Sequence, residues 1–221
     1  MNGSIHPNEL STQNSEFTMI FNHTEFEHLY LIDIETNDDD RGYFARTWCK
    51  HELKLHGVDA DIVQSSISST TRKGTLRGLH YQKVPFSEDK IITCLSGAIY
   101  DVVIDLRIDS VSYLKWTSFY LTSDNKKMLF VPAGFAHGYQ ALKDESLVLY
   151  YSTEFYNPMA EMGIRYDDPF FNIKWPQKVI LASAKDRSWI DFDHEKCPIF
   201  LTNRDKVGFA IMADEKGWAQ L

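Results

Sequence analysis

Apolar and polar residues alternate in short bursts through the middle of the chain. Residues 62–69, 76–81, 90–95, 98–106, 116–122, 127–131, 138–142 and 147–153 have the texture of strands. The breaks carry turn chemistry: Lys73-Gly74, Ser96-Gly97, Asp109-Ser110, Asp124-Asn125, Pro132 with Gly134, and Lys143-Asp144. Short strands roughly ten residues apart, with no helical segment between them, predict an all-β sandwich, jelly roll or closed barrel. One short helix is expected over 48–57 (WCKHELKLHG), closed by Gly57. Residues 35–41 (ETNDDDR), followed by Gly42, read as a solvated loop.

Residues 1–16 are polar and aperiodic, the texture of a flexible tail. After Trp175-Pro176 the pattern loosens, and no stretch rich in Gly, Ser or Pro divides the chain. One β domain over 17–191 is expected, with a C-terminal extension, 192–221, packed on it.

Composition narrows the function. The chain has 221 residues, 43% hydrophobic and 14% aromatic, so it can build a thick core or an aromatic-walled cavity. A net charge of −8 argues against nucleic acid and anionic membranes as partners. An anionic substrate would need a local basic pocket. No apolar run approaches the ~20 residues of a bilayer span, and no leader is readable, so a cytoplasmic protein is expected. Cys49, Cys94 and Cys197 lack C-x-x-C spacing and suggest neither a disulfide framework nor structural zinc. Glycine-rich nucleotide motifs of the Rossmann or P-loop kind are missing too.

Two histidines stand in unusual settings. His80 closes Thr75-Leu76-Arg77-Gly78-Leu79-His80, where strand alternation puts Gly78 and His80 on one face and Arg77 and Leu79 on the other. A Gly beside a His leaves room for a ligand; a core histidine is the plainer reading. His137 follows a rigid turn in Val131-Pro132-Ala133-Gly134-Phe135-Ala136-His137-Gly138, at the start of the next strand. P-x-G-x-x-H resembles the second half of the cupin metal motif, but the first half would need H-x-H and a nearby Glu. The chain has His80-Tyr81-Gln82, and Glu88 comes after Pro85, so no metal is expected. Acid–base chemistry then falls to side chains: a His as general base and a Tyr as acid, with Tyr150 or Tyr151 facing inward from one strand.

Six stretches in order extend these observations: Asp40-Arg41-Gly42-Tyr43-Phe44, Leu76-Arg77-Gly78-Leu79-His80-Tyr81-Gln82, Tyr100 to Arg107 (YDVVIDLR), Val131 to Gly138, Gly163 to Pro169 (GIRYDDP) and Ser183-Ala184-Lys185-Asp186. Together they resemble the dTDP-4-dehydrorhamnose 3,5-epimerase family, from about Phe26 to about Asp191. The resemblance implies a cupin-type jelly roll that forms homodimers, uses no cofactor or metal, and acts on a nucleoside-diphosphate 4-keto-6-deoxyhexose. Carried over by position, His80 is the base, Asp186 its orienting carboxylate, Tyr150 the acid and Lys90 the stabiliser of the enolate oxygen. Arg41, Phe44, Arg77, His137, Phe155, Glu161 and Lys185 fall at substrate-binding positions, Phe155 where an aromatic stacks on the base. Two binding positions depart from the family pattern. Arg46 replaces an acidic residue, and Gln64-Ser65-Ser66 replaces Q-x-N. Both changes point to a different nucleotide handle or sugar, with the chemistry kept. A 3,4-ketoisomerase, a single-carbon epimerase, a non-catalytic sugar-nucleotide binder and a metal-dependent cupin dioxygenase are the alternatives.

Overall fold

The computed structural model describes residues 18–58, 61–196 and 200. The tail expected over 1–16, Cys197 and most of 192–221 lie outside these residues. The strands are β1 (Met19–His23), β2 (Tyr30–Ile34), β3 (Thr36–Asp39), β4 (Gly42–Ala45), β5 (Gln64–Thr70), β6 (Leu76–Gln82), β7 (Lys90–Ser96), β8 (Ala98–Asp105), β9 (Trp116–Thr122), β10 (Lys127–Val131), β11 (Phe135–Ala141), β12 (Ser146–Ser152) and β13 (Glu161–Gly163). Two short helices, α1 (Lys50–Leu55) and α2 (Ala184–Ser188), accompany them. The strand pattern leaves a sandwich, jelly roll or barrel open; the all-β jelly roll that the family resemblance implies is what forms.

A six-stranded sheet in the order β1-β2-β10-β7-β12-β5 faces a five-stranded sheet, β13-β6-β11-β8-β9. Strand alternation sorts the core into three layers. Between the sheets lie Ile92, Cys94, Leu129, Val131 and Val148 from one side and Ile99, Val103, Phe135 and Tyr139 from the other. Tyr100, Val102 and Ile104, the alternate residues of β8, point outward into a second cluster with Leu79, Tyr81, Ile164 and Phe171. Phe192 and Phe200 join that outer layer. The third cluster lies on the outer face of the six-stranded sheet, where α1 inserts Leu53 among Phe21, Tyr30, Ile32 and Phe130. Because both faces of β8 are covered, every one of its residues is buried. Each fully buried Ile or Leu in these layers contributes about 1.5–3 kcal/mol.

The structure departs from the sequence pattern in several places. Residues 35–41 are not a plain loop: β3 and β4 pair as a hairpin with Asp39 opposite Gly42 and Asp40-Arg41 at its tip. Its carboxylates point to solvent, so the polar composition is satisfied without a core-facing side. Strands β1 and β2 also pair as a hairpin; five residues each, they are too short to show alternation beside the polar stretch between them. β13 is shorter still. β11 begins at Phe135, so His137 sits inside the strand rather than at its start. No helix among the described residues is long and apolar enough to cross a membrane.

Candidate active site

The site begins where β6 and β11 cross. Gly78, with φ +109°, lies backbone to backbone against Gly138: a Cβ on Gly78 would come within 2.6 Å of the Gly138 Cα and 2.7 Å of the His137 carbonyl oxygen. Only glycine permits that approach. The contact locks the two histidine-bearing strands together and puts His80 directly opposite His137. Register shifts here, three steps on β6 (77 to 80) matching two on β11 (137 to 139). This bulge corrects the simple alternation expected for the strand. Leu79 joins the outer core, whereas the Arg77 guanidinium crosses to β5, donating to Thr70 Oγ1 at 3.1 Å and to the Ser69 carbonyl at 2.8 Å. Arg77 and Leu79 therefore do not share a face.

His80 Nε2 lies 2.7 Å from Asp186 Oδ1. Burial alone would raise the Asp186 carboxyl, but the hydrogen bond and charge of His80, together with Ser183 and the Gly78 amide, outweigh it and hold the group below the usual range. Asp186 is thus an anion that can only accept, so Nε2 presents a hydrogen to it, and Nδ1 is the ring nitrogen not engaged by the carboxylate. The imidazole is 31% exposed while the carboxylate is 5% exposed.

Across from this pair, His137 Nε2 bonds Asp101 Oδ2 at 2.8 Å, with exposures of 5% and 0%. Asp101 escaped the sequence reading. Its signal was present in YDVVID, where Ile99, Asp101 and Val103 share the inner face, but a lone carboxylate there looks like Asp105. That residue is fully consumed by Arg107, Ser110 and Ser112 in a buried network outside the site. The Tyr150 ring, from β12 on the facing sheet, meets His137 edge-on with centroids 6.2 Å apart. Tyr150, not Tyr151, faces inward; the Tyr151 hydroxyl bonds Thr47 at 3.0 Å beneath α1. Burial pushes the Tyr150 phenol well above its ordinary range, with Tyr139 and Asp101 adding and Arg77 opposing. Tyr150 is accordingly a protonated donor at neutral pH.

Lys90, at the start of β7, pairs with Glu88 at 3.1 Å and is close enough to Asp101 to favour its anion. The adjacent Asp89 accepts the Ala133 amide at 2.8 Å, tying the Pro132 turn to this corner. Glu161 bonds Lys185 and the Tyr156 hydroxyl. Burial raises the Glu161 carboxyl less than Lys185, Tyr156 and the charge of His80 lower it. Ser66 stands opposite Tyr150 in the β5–β12 register, Gln64 accepts the Tyr156 amide at 3.2 Å, and the Phe155 carbonyl accepts from Gln82 at 3.2 Å. The Phe155 ring is exposed at this rim.

Three expected binding residues are not gathered here. Arg41 pairs with Asp39 at the hairpin tip, Phe44 is exposed on β4, and Arg46 pairs with Glu52 of α1, which packs on the outer face of the six-stranded sheet. Within one chain they stand apart from His80.

A family model described as dTDP-4-dehydrorhamnose 3,5-epimerase matches residues 23–194. The chain is 38% identical over 169 residues to the dTDP-4-dehydrorhamnose 3,5-epimerase of Methanothermobacter thermautotrophicus, covering 75% of this chain and 90% of that one. With the Escherichia coli K12 enzyme of the same name it shares 36% over 172 residues, 77% and 92% of the two chains. The crystal structure of dTDP-4-dehydrorhamnose 3,5-epimerase from Bacillus anthracis, with TDP and PPi bound, aligns at a TM-score of 0.77 and 36% identity, over 79% of this chain and 100% of that one. A Legionella pneumophila dTDP-6-deoxy-D-glucose-3,5-epimerase in complex with dTDP-4-keto-L-rhamnose aligns at 0.77 and 32%, over 84% and 100%. Since the matched span contains both histidine–aspartate pairs and Tyr150, this chain belongs to the dTDP-4-dehydrorhamnose 3,5-epimerase family.

Proposed function

We propose that the chain is a nucleotide-sugar epimerase that inverts carbon 3, carbon 5 or both of a nucleoside-diphosphate 4-keto-6-deoxyhexose. The observation that carries this reading is the half-exposed His80, oriented by a fixed anion, with a protonated Tyr150 on the facing sheet. A C–H next to the C4 ketone is acidic because its electron pair can move into the carbonyl. His80 Nδ1 takes that proton, and the oxygen becomes an enolate stabilised by the Lys90 ammonium. Tyr150 then protonates the carbon from the opposite face as the carbonyl re-forms. The proton gained by His80 and lost by Tyr150 cancel through solvent, so the net reaction is an isomerisation.

His137, held by Asp101, orients the sugar, and Arg77 with Lys185 receives the diphosphate, with Glu161 fixing Lys185. Phe155 offers its face to the base. The hairpin residues fit a cytoplasmic homodimer: Tyr43 and Phe44, 58% and 63% exposed, would be covered if each hairpin reached its partner's mouth, carrying Arg41, Phe44 and Arg46 to the nucleotide. Arg46 and Ser66 change the polar groups offered to the base, which favours a handle other than dTDP.

Incubation with a panel of NDP-4-keto-6-deoxysugars in deuterated water tests this reading. Deuterium at carbon 3, carbon 5 or both, with the carbonyl still at carbon 4, is expected. Migration of the carbonyl would make the protein a ketoisomerase, and no exchange with any sugar would leave a binder. Calorimetric titration with dTDP, CDP, GDP and UDP reads the handle; clear selectivity for dTDP would refute a changed one.

A further inference from the structure

The carboxylate that orients His80 is not built on the sheets. Asp186 rides on α2, a helix of five residues, too short to hold a position by its own hydrogen bonds. The approach to α2 is fixed by a bridge between Thr75 and Leu181, where the Leu76 amide donates to the Leu181 carbonyl at 2.8 Å. Ser183 caps the first turn, accepting the Asp186 amide at 3.0 Å. What holds the other end is Trp189.

The Trp189 carbonyl accepts from Arg165 at 3.3 Å. Its indole lies so close against Gly163 that a methyl group on residue 163 would overlap the ring, meeting Cδ1 at 2.8 Å and Nε1 and Cε2 closer still. The backbone at Gly163, unlike that at Gly78, is not in the left-handed region, so glycine is needed there for room alone. Gly163 stands opposite His80 in the β13–β6 register. One short strand therefore both pairs with the histidine and seats the helix that carries its carboxylate. The indole N–H is buried and finds no acceptor among the described residues, an uncommon concession in a native fold.

We infer that the Trp189–Gly163 contact is a positioning device for the His80–Asp186 pair, the indole seated on bare backbone setting where α2 presents its carboxylate. Both residues act through Asp186. The inference rests on the reading of His80 as the base.

Its test is Gly163→Ala, alone and in an Asp186→Asn background, with kcat and KM for the deuterium-exchanging substrate. Displacing α2 by a methyl group is expected to lower kcat by about 10²-fold, the scale of a 1 Å misplacement, with KM within about twofold. In the Asp186→Asn background the same substitution is expected to change kcat less than about threefold, because nothing remains to be positioned. Trimming the ring in Gly163→Ala/Trp189→Leu is expected to restore part of kcat. An undiminished loss in the Asp186→Asn background, a loss confined to KM, or no loss would each overturn the inference. If Gly163→Ala does not fold, Trp189→Leu replaces it under the same criteria, since loss of the seat frees α2. The proton NMR resonance of the imidazole N–H shared by His80 and Asp186, read in the unliganded protein, gives a measure independent of turnover. Should it shift or broaden in the variant while the wild type exchanges no sugar proton, the positioning stands and the proposed function falls. Should exchange be normal and the resonance unmoved, the reverse holds.

Discussion

His80–Asp186 and His137–Asp101 join an imidazole Nε2 to a carboxylate at nearly the same length, 2.7 and 2.8 Å, from facing positions on paired strands. Their settings are opposite. His80 opens to solvent and its carboxylate arrives from a separate helix, whereas His137 is sealed against Asp101 of the neighbouring strand. The two carboxyls shift in opposite directions: hydrogen bonds overcome burial and hold Asp186 low, while burial dominates at Asp101 and raises it against His137 and Lys90. A group that takes and returns a proton in each turnover needs an accessible lone pair and a steady countercharge. His80 has both. The sealed pair suits a ring that must keep one orientation.

The sharpest break of this comparison is therefore His80→Ala. Deuterium wash-in is expected to fall by about 10²–10⁴-fold, with nucleotide affinity by calorimetry unchanged. Tyr150→Phe comes next, because it keeps the edge-on ring over His137 and removes only the hydroxyl. Inversion is expected to drop about 10²-fold while exchange on the His80 face continues, giving deuterated but unepimerised sugar. An equal loss of exchange and inversion would mean that Tyr150 is not the acid of the opposite face. His137→Asn should cost less, about tenfold in kcat/KM and carried by KM, since it loosens orientation and not proton transfer. If it matched His80→Ala in exchange with KM unmoved, the two pairs would have to trade roles.

The sequence made the two histidine strands legible but not the two carboxylates. β9 and β10 fall where the apolar runs and turn residues put them, Trp116–Thr122 and Lys127–Val131: β9 packs Phe119 and Leu121 on the inner core, β10 is covered on both faces, and Asp, Asn, Gly or Pro bound the runs. Periodicity is blind to what happens at Gly78, where the bulge lets Arg77 reach across to β5, since that bulge depends on a glycine from another strand. Asp186 emerges only from the likeness of Ser183-Ala184-Lys185-Asp186 to a family pattern. A five-residue helix shows no period, and its partner lies 106 residues earlier. Asp101 is hidden for the opposite reason: it sits in a clear strand, but nothing local separates a carboxylate facing a histidine from Asp105, which faces an arginine. The hairpin misreads as a loop because its aromatic residues, Tyr43 and Phe44, stay exposed and its burial pattern shows no core-facing side.

The smallest effect tests the electrostatic half of the comparison. A carboxyl whose folded pKa is depressed adds stability above its unfolded value, near 4, and loses it as pH falls through the folded value. Asp186 is of this kind, so wild type should lose stability relative to Asp186→Asn as pH drops below about 4. For a carboxyl whose folded pKa is raised the sign reverses. The folded state binds the extra proton between the unfolded and folded values, so stability falls as pH rises through that window. Asp101 belongs here, and wild type should gain stability relative to Asp101→Asn as pH is lowered from neutrality toward about 4. Each difference is read from urea midpoints at constant m between about pH 3.5 and 7. Opposite slopes would separate an anion kept for service from a carboxyl kept for shape. Parallel slopes would mean that the two pairs hold their protons alike, and that the proposed role of His80 as base must rest on its exposure and not on charge.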